Sequence, residues 1–128
     1  MIINSFDIDV SDMPTAETSR SFTVSGDIGA QFMIVALQNP SSSSAHTLYY
    51  DFLNSIFESG HNDLNNNLIV TLTARIYSKS ITFPSGGGEF VIKLMPIGNT
   101  EVQNSASHII TKNISKATAN AVVTFKGG

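Results

Sequence analysis

The chain has 128 residues, seven basic against ten acidic side chains for a net charge of −3, 41% hydrophobic and 13% charged residues, and neither cysteine nor tryptophan. That length suits one domain burying roughly two thirds of its surface, and the balance of apolar to charged residues is wrong for a disordered chain. Seventeen Ser, 11 Thr and 11 Asn compete with helical backbone hydrogen bonds and suit strands, turns and caps. Composition thus disfavours a helical bundle, a disulfide scaffold, a thiolate metal module and a strongly basic nucleic-acid binder.

In chain order, Phe6, Ile8 and Val10 alternate with Asp7 and Asp9, the pattern of a half-buried strand. Residues 11–19 are polar and contain Pro14, predicting a loop. Phe22 and Val24 alternate with small polar residues up to Gly26-Asp27-Ile28-Gly29, which reads as a tight turn. Residues 30–38 are apolar on both alternating faces, predicting a central strand covered on its second side.

Asn39-Pro40 and the four serines after it predict a flexible loop. Leu48, Tyr50 and Phe52 then share one strand face, with Tyr49 on the other. Residues 54–58 are expected to form a single helical turn with Ile56 and Phe57 tucked inward, closed by residues 60–63. Residues 65–67 read as a loop tip, and residues 68–77 as one long alternating strand. Ile81 and Phe83 predict a short strand ending at Pro84, with Ser85-Gly86-Gly87-Gly88 as a hairpin loop into a return strand carrying Phe90, Ile92 and Leu94 up to Pro96. Residues 97–100 turn the chain, residues 108–114 and 121–125 supply two last strands, and Lys126-Gly127-Gly128 is expected to be a tail.

Eight or nine short strands with polar turns predict an all-β fold. The expected architecture is one antiparallel β-sandwich over residues 1–128, immunoglobulin-like or jelly-roll-like, with a closed barrel as runner-up. The start of the chain lacks the basic and apolar regions of a signal peptide. Its longest apolar run, residues 32–37, is far short of the ~20 residues that span a bilayer. Residues 1–63 carry eight acids and one base, and residues 64–128 six bases and two acids. Interleaved strands would mix these charges; segregation would make a dipolar subunit suited to head-to-tail packing.

No catalytic, cofactor-binding or metal-ligating set is expected. Asp7, Asp9 and Asp12 could offer oxygens to Ca²⁺, but the spacing fits the solvent face of a strand better. Asp27 is expected to cap nearby backbone amides. His46, His61 and His108 share no ligand spacing, no Gly-x-Ser-x-Gly elbow occurs, and the three glycines at 86–88 lack the following helix and lysine of a phosphate loop. Tyr49 is the one candidate for stacking on a sugar, against the simpler reading of an outward strand residue.

The series Arg20-Ser21-Phe22-Thr23-Val24-Ser25-Gly26-Asp27-Ile28-Gly29-Ala30-Gln31-Phe32, then Leu48-Tyr49-Tyr50-Asp51-Phe52, then Thr82-Phe83-Pro84 with Glu89-Phe90-Val91-Ile92-Lys93-Leu94, resembles β-rich domains of virion proteins from tailed phages, especially marine cyanophages. The resemblance covers about residues 20–125 and carries no catalytic residue. It implies a non-enzymatic virion subunit made in the host cytoplasm. Capsid decoration is the first expectation and a baseplate, neck or tail accessory role the second; a glycan-binding adhesion module is the alternative of another class. The implied partners are a major capsid protein or tail and baseplate proteins, with a homo-oligomer or multi-copy array, and neither nucleic acid nor membrane. Residues 11–19, 39–45 and 54–67, with the tail from Lys126, are the expected contact segments.

Overall fold

A computed structural model describes residues 1–9, 14–38, 46–59, 67–86, 88–103, 108–112 and 122–124. Within them the strands are β1 (Ile2–Asp9), β2 (Thr18–Gly26), β3 (Gln31–Gln38), β4 (His46–Asp51), β5 (Ile56–Glu58), β6 (Val70–Thr71), β7 (Ile76–Phe83), β8 (Gly88–Ile97), β9 (Glu101–Val102), β10 (His108–Lys112) and β11 (Val122–Thr124). Nine of these are three residues or longer, in agreement with the expected number. They form two sheets packed on each other as a sandwich. The first runs β11-β1-β2-β7 with β9 beside β1, and the second runs β10-β8-β3-β4-β5 with β6 beside β3. Every ladder is antiparallel except β1 with β9, where Ile2 pairs with Glu101 and Ile3 with Val102.

The apolar alternation fills the space between the sheets. Phe6, Ile8, Phe22, Val24, Ile81 and Phe83 from the first sheet meet Phe32, Ile34, Ala36, Tyr50, Ile92 and Leu94 from the second. Each such large side chain contributes about 1.5–3 kcal/mol by leaving water. Edge-on aromatic contacts organise this layer, with Phe6 to Phe22 at 5.9 Å and Tyr50 to Phe57 at 4.9 Å between ring centres. β3 lies between β8 and β4, and both of its faces are buried, including Met33 and Val35 on the side away from the core. This is the central strand expected there. β2 from the acidic half adjoins β7 from the basic half, and β3 adjoins β8, so the halves interleave.

Three local expectations are corrected. Residues 68–77 do not form one strand. Val70 pairs with Phe32 in the second sheet, whereas Ile76 pairs with Ser25 in the first, and the chain crosses between them. The crossing wraps the 27–30 turn: the Gly29 amide donates to the Leu72 carbonyl (2.7 Å), the Leu72 amide to the Ala30 carbonyl (2.8 Å), and the Gly26 amide to the Arg75 carbonyl (2.9 Å). Leu72 is buried while Ala74 and Ile76 face solvent, so the inward phase changes at the bend.

Residues 54–58 form no helical turn. A turn at 52–55 leads into β5, which returns along β4, with Phe57 inward and Ile56 44% exposed. Finally, the link after Pro84 is not a hairpin, because β7 and β8 belong to different sheets. Gly86 takes φ 113°, a conformation open to glycine, and its amide donates to the Thr15 carbonyl as the chain passes over. The strand expected at Ile81 and Phe83 is the end of the longer β7, and β8 continues through Pro96 to Ile97. Val10, residues 39–45, residues 60–66, Ile114 and the tail from Lys126 lie outside the described residues.

Candidate functional site

Among the described residues, the β4–β5 turn is a densely hydrogen-bonded surface feature. It follows from Asp51, whose side chain is 3% exposed although it closes an edge hairpin. One carboxylate oxygen accepts the amides of Leu53 (2.8 Å) and Asn54 (3.1 Å), the other accepts the Asn54 side-chain amide (3.0 Å), and the Asp51 carbonyl accepts the Ser55 amide (2.8 Å). Burial pushes this carboxyl upward. The donors of Asn54 and Leu53, together with a side-chain contact to Glu58, outweigh it and hold the group below its ordinary range. Ser55 adopts φ 56°, left-handed for a residue with a side chain, and the Phe52 amide donates to the Asn67 carbonyl. The turn is therefore fixed from several directions, and at its tip Leu53 is 72% exposed.

Beneath the turn, the sheets meet at their edges. Phe52 packs on Tyr50 at 5.0 Å, and the Lys79 ammonium of β7 sits 5.5 Å from the centre of the Phe52 ring. Phe57 of β5 lies 5.9 Å from Phe83 of β7. Tyr77, half-buried between Phe22 and Phe32, has its phenol pushed upward by burial and by Tyr50.

Among the described residues, those singled out by sequence do not converge. Tyr49 is half-buried on the outward side of the second sheet, in register with Val35 and Glu58. Asp7 is half-buried on the outward side of the first sheet; nothing is described of the Asp9 side chain, and Asp12 lies outside the described residues. His46 is exposed at the start of β4, His108 starts β10, and His61 lies outside the described residues. Asp27 caps an amide as expected, that of Ile2 at 2.9 Å, and also faces Arg75 at 3.8 Å. Among the described residues no group of three or more His, Asp or Glu is placed to hold a metal ion, and no helix is long and apolar enough to cross a membrane.

Asp51, Leu53 and Lys79 escaped the sequence reading. A usable signal was present: Phe52 and Leu53 are adjacent apolar residues, and after a strand only one of two neighbours can face the core. Asp51 with Asn54 beyond it is a familiar side-chain-stabilised turn pattern. Compared with family models, curated proteins and solved structures, the chain finds no match.

Proposed function

We propose that the protein is a non-enzymatic structural subunit of a phage virion, packing in many copies against a major capsid protein as decoration, with a baseplate, neck or tail accessory role as the second choice. The observation that carries an associative role is Leu53, 72% exposed on a turn held by a buried carboxylate. An apolar side chain held in water on a hydrogen-bonded turn is a pre-organised anchor, and pre-organisation lowers the ordering cost of binding. The virion assignment draws its support from the turn-and-aromatic motifs at residues 20–32, 48–52 and 82–94. Glycan adhesion draws less, since Tyr49 is half-buried.

Mass spectrometry and cryo-electron microscopy of purified particles test the assignment. The chain is expected on particles at high copy number, and Leu53→Ser is expected to reduce its incorporation at least tenfold while its own unfolding curve stays unchanged. Particles without the chain overturn the virion reading, and full incorporation of Leu53→Ser removes Leu53 as the anchor.

A further inference from the structure

β7 ends the strand order of the first sheet, and at eight residues it is long for an edge strand. Two hydrogen bonds fix which of its peptide groups face outward. The Arg75 carbonyl accepts the Gly26 amide of β2, whereas the Thr82 amide points the other way and donates to the Tyr50 phenol oxygen at 3.1 Å. Odd-numbered peptide groups therefore serve the ladder with β2, and even-numbered ones face away from it. Thr82 is capped by Tyr50, and Phe83 is covered by Phe57. The peptide groups of Ile76, Ser78 and Ser80 remain, with no strand beyond them among the described residues.

The side chains along this stretch suit a seam. Ile76 is 66% exposed, and Ser78 and Ser80 are small, exposed and on the same outward face. Hydroxyl pairs cross that face from strand to strand, Thr23 with Ser78 at 3.0 Å and Ser19 with Thr82 at 3.1 Å, and they stop at β7.

We propose that residues 76–80 pair antiparallel with the same segment of a second copy, about a two-fold axis at Ser78, joining two first sheets into one. The charge pattern selects this register. A lysine on an edge strand ordinarily discourages pairing; moving the axis one residue to Lys79 would set Lys79 against Lys79, and moving it to Tyr77 would set Lys79 against Arg75. With the axis at Ser78, Lys79 faces Tyr77 of the second copy, Ile76 faces Ser80, and the even-numbered groups exchange about six backbone hydrogen bonds. The Lys79 ammonium, drawn back over Phe52, leaves the seam clear. This pairing stands without the virion reading.

Sedimentation equilibrium of the full chain tests it. Wild type is expected at twice the monomer mass, with a concentration-dependent return to monomer. Ser80→Pro deletes an outward amide that the ladder with β2 does not use, a position where an edge strand tolerates proline. It is expected to weaken dimerisation by about tenfold or more and to keep cooperative unfolding. Because the chain has no cysteine, Ser78→Cys gives a second, independent readout. A short thiol-reactive cross-linker is expected to join two copies through residue 78, and not through Ser21→Cys on the neighbouring strand. Wild type that stays monomeric at its solubility limit, an undiminished Ser80→Pro dimer, or equal cross-linking at both cysteines overturns the proposal.

Discussion

The phenol oxygen of Tyr50 on β4 accepts the backbone amide of Thr82 on β7 at 3.1 Å, a hydrogen bond from one sheet to the other. Tyr50 is 1% exposed, so its ring fills the core while its polar end caps an edge amide that no strand among the described residues serves. One side chain thus holds the sheets in register and seals part of an open edge.

Tyr50→Phe separates those roles. The ring stays and the acceptor goes, leaving the Thr82 amide without its partner. The expected cost is about 1–2 kcal/mol of unfolding free energy, read from urea midpoints at constant slope. Tyr50→Ala removes the ring as well and is expected to cost about 3–5 kcal/mol. A Phe variant as stable as wild type would show that solvent serves the Thr82 amide equally well.

Asp51 sets an acid limb on stability. Its carboxyl is held below the ordinary range in the folded chain, so the folded state favours the ionised form. The resulting stabilisation is complete above the unfolded pKa of about 4. It is lost as pH falls through the lower folded value, because both states are then protonated. Stability measured from pH 6 down to pH 2 should therefore fall, and part of that fall should vanish in Asp51→Asn. At pH 7 the same variant is expected to lose about 1–3 kcal/mol, since a charged acceptor of three donors is replaced by a neutral one. Parallel acid limbs in the two proteins would rule out Asp51 as their source.

Alternation makes much of this sandwich legible in the sequence. Phe6 and Ile8, or Phe22 and Val24, report an inward face by period two alone, and Met33 with Val35 report a second covered face in the same way. Sheet membership is a different kind of information. Leu72 and Ile76 share one apolar rhythm in sequence, yet one lies beside the turn that leads into β3 and the other beside β2, because rhythm records which residues face inward and not which strand sits alongside. The glycines after Ser85 permit a hairpin and an inter-sheet passage equally. The rigid turn at Asp51 depends on four local hydrogen bonds, and the exposure of Leu53 depends on that turn, so neither was visible in periodicity.

Gly26 is a steric requirement. A Cβ there would stand 2.7 Å from the Ile2 carbonyl oxygen and 3.0 Å from Ile3 Cα, both backbone atoms of the adjoining strand. The β1–β2 register is irregular between Ile3 and Ser5, and this close approach is part of the irregularity. Gly26→Ala is expected to cost about 1–3 kcal/mol as overpacking, with weaker amide-exchange protection at the start of β1. An unchanged denaturation midpoint would mean that β1 moves aside freely.

Asp27 separates a backbone cap from an ion pair. Its carboxylate accepts the Ile2 amide at 2.9 Å and faces the Arg75 guanidinium at 3.8 Å, where the Arg75 side chain is 75% exposed and that of Asp27 44%. A pair so open to water contributes little, so Arg75→Ala is expected to shift stability by no more than about 0.5 kcal/mol. Asp27→Ala leaves the Ile2 amide without its acceptor and is expected to cost about 1 kcal/mol, after discounting for solvent around the carboxylate. Asp27→Asn keeps an oxygen for that amide and should fall near Arg75→Ala. The ordering is the test: if Arg75→Ala costs as much as Asp27→Ala, and both losses shrink in high salt, the ion pair rather than the cap anchors the start of β1.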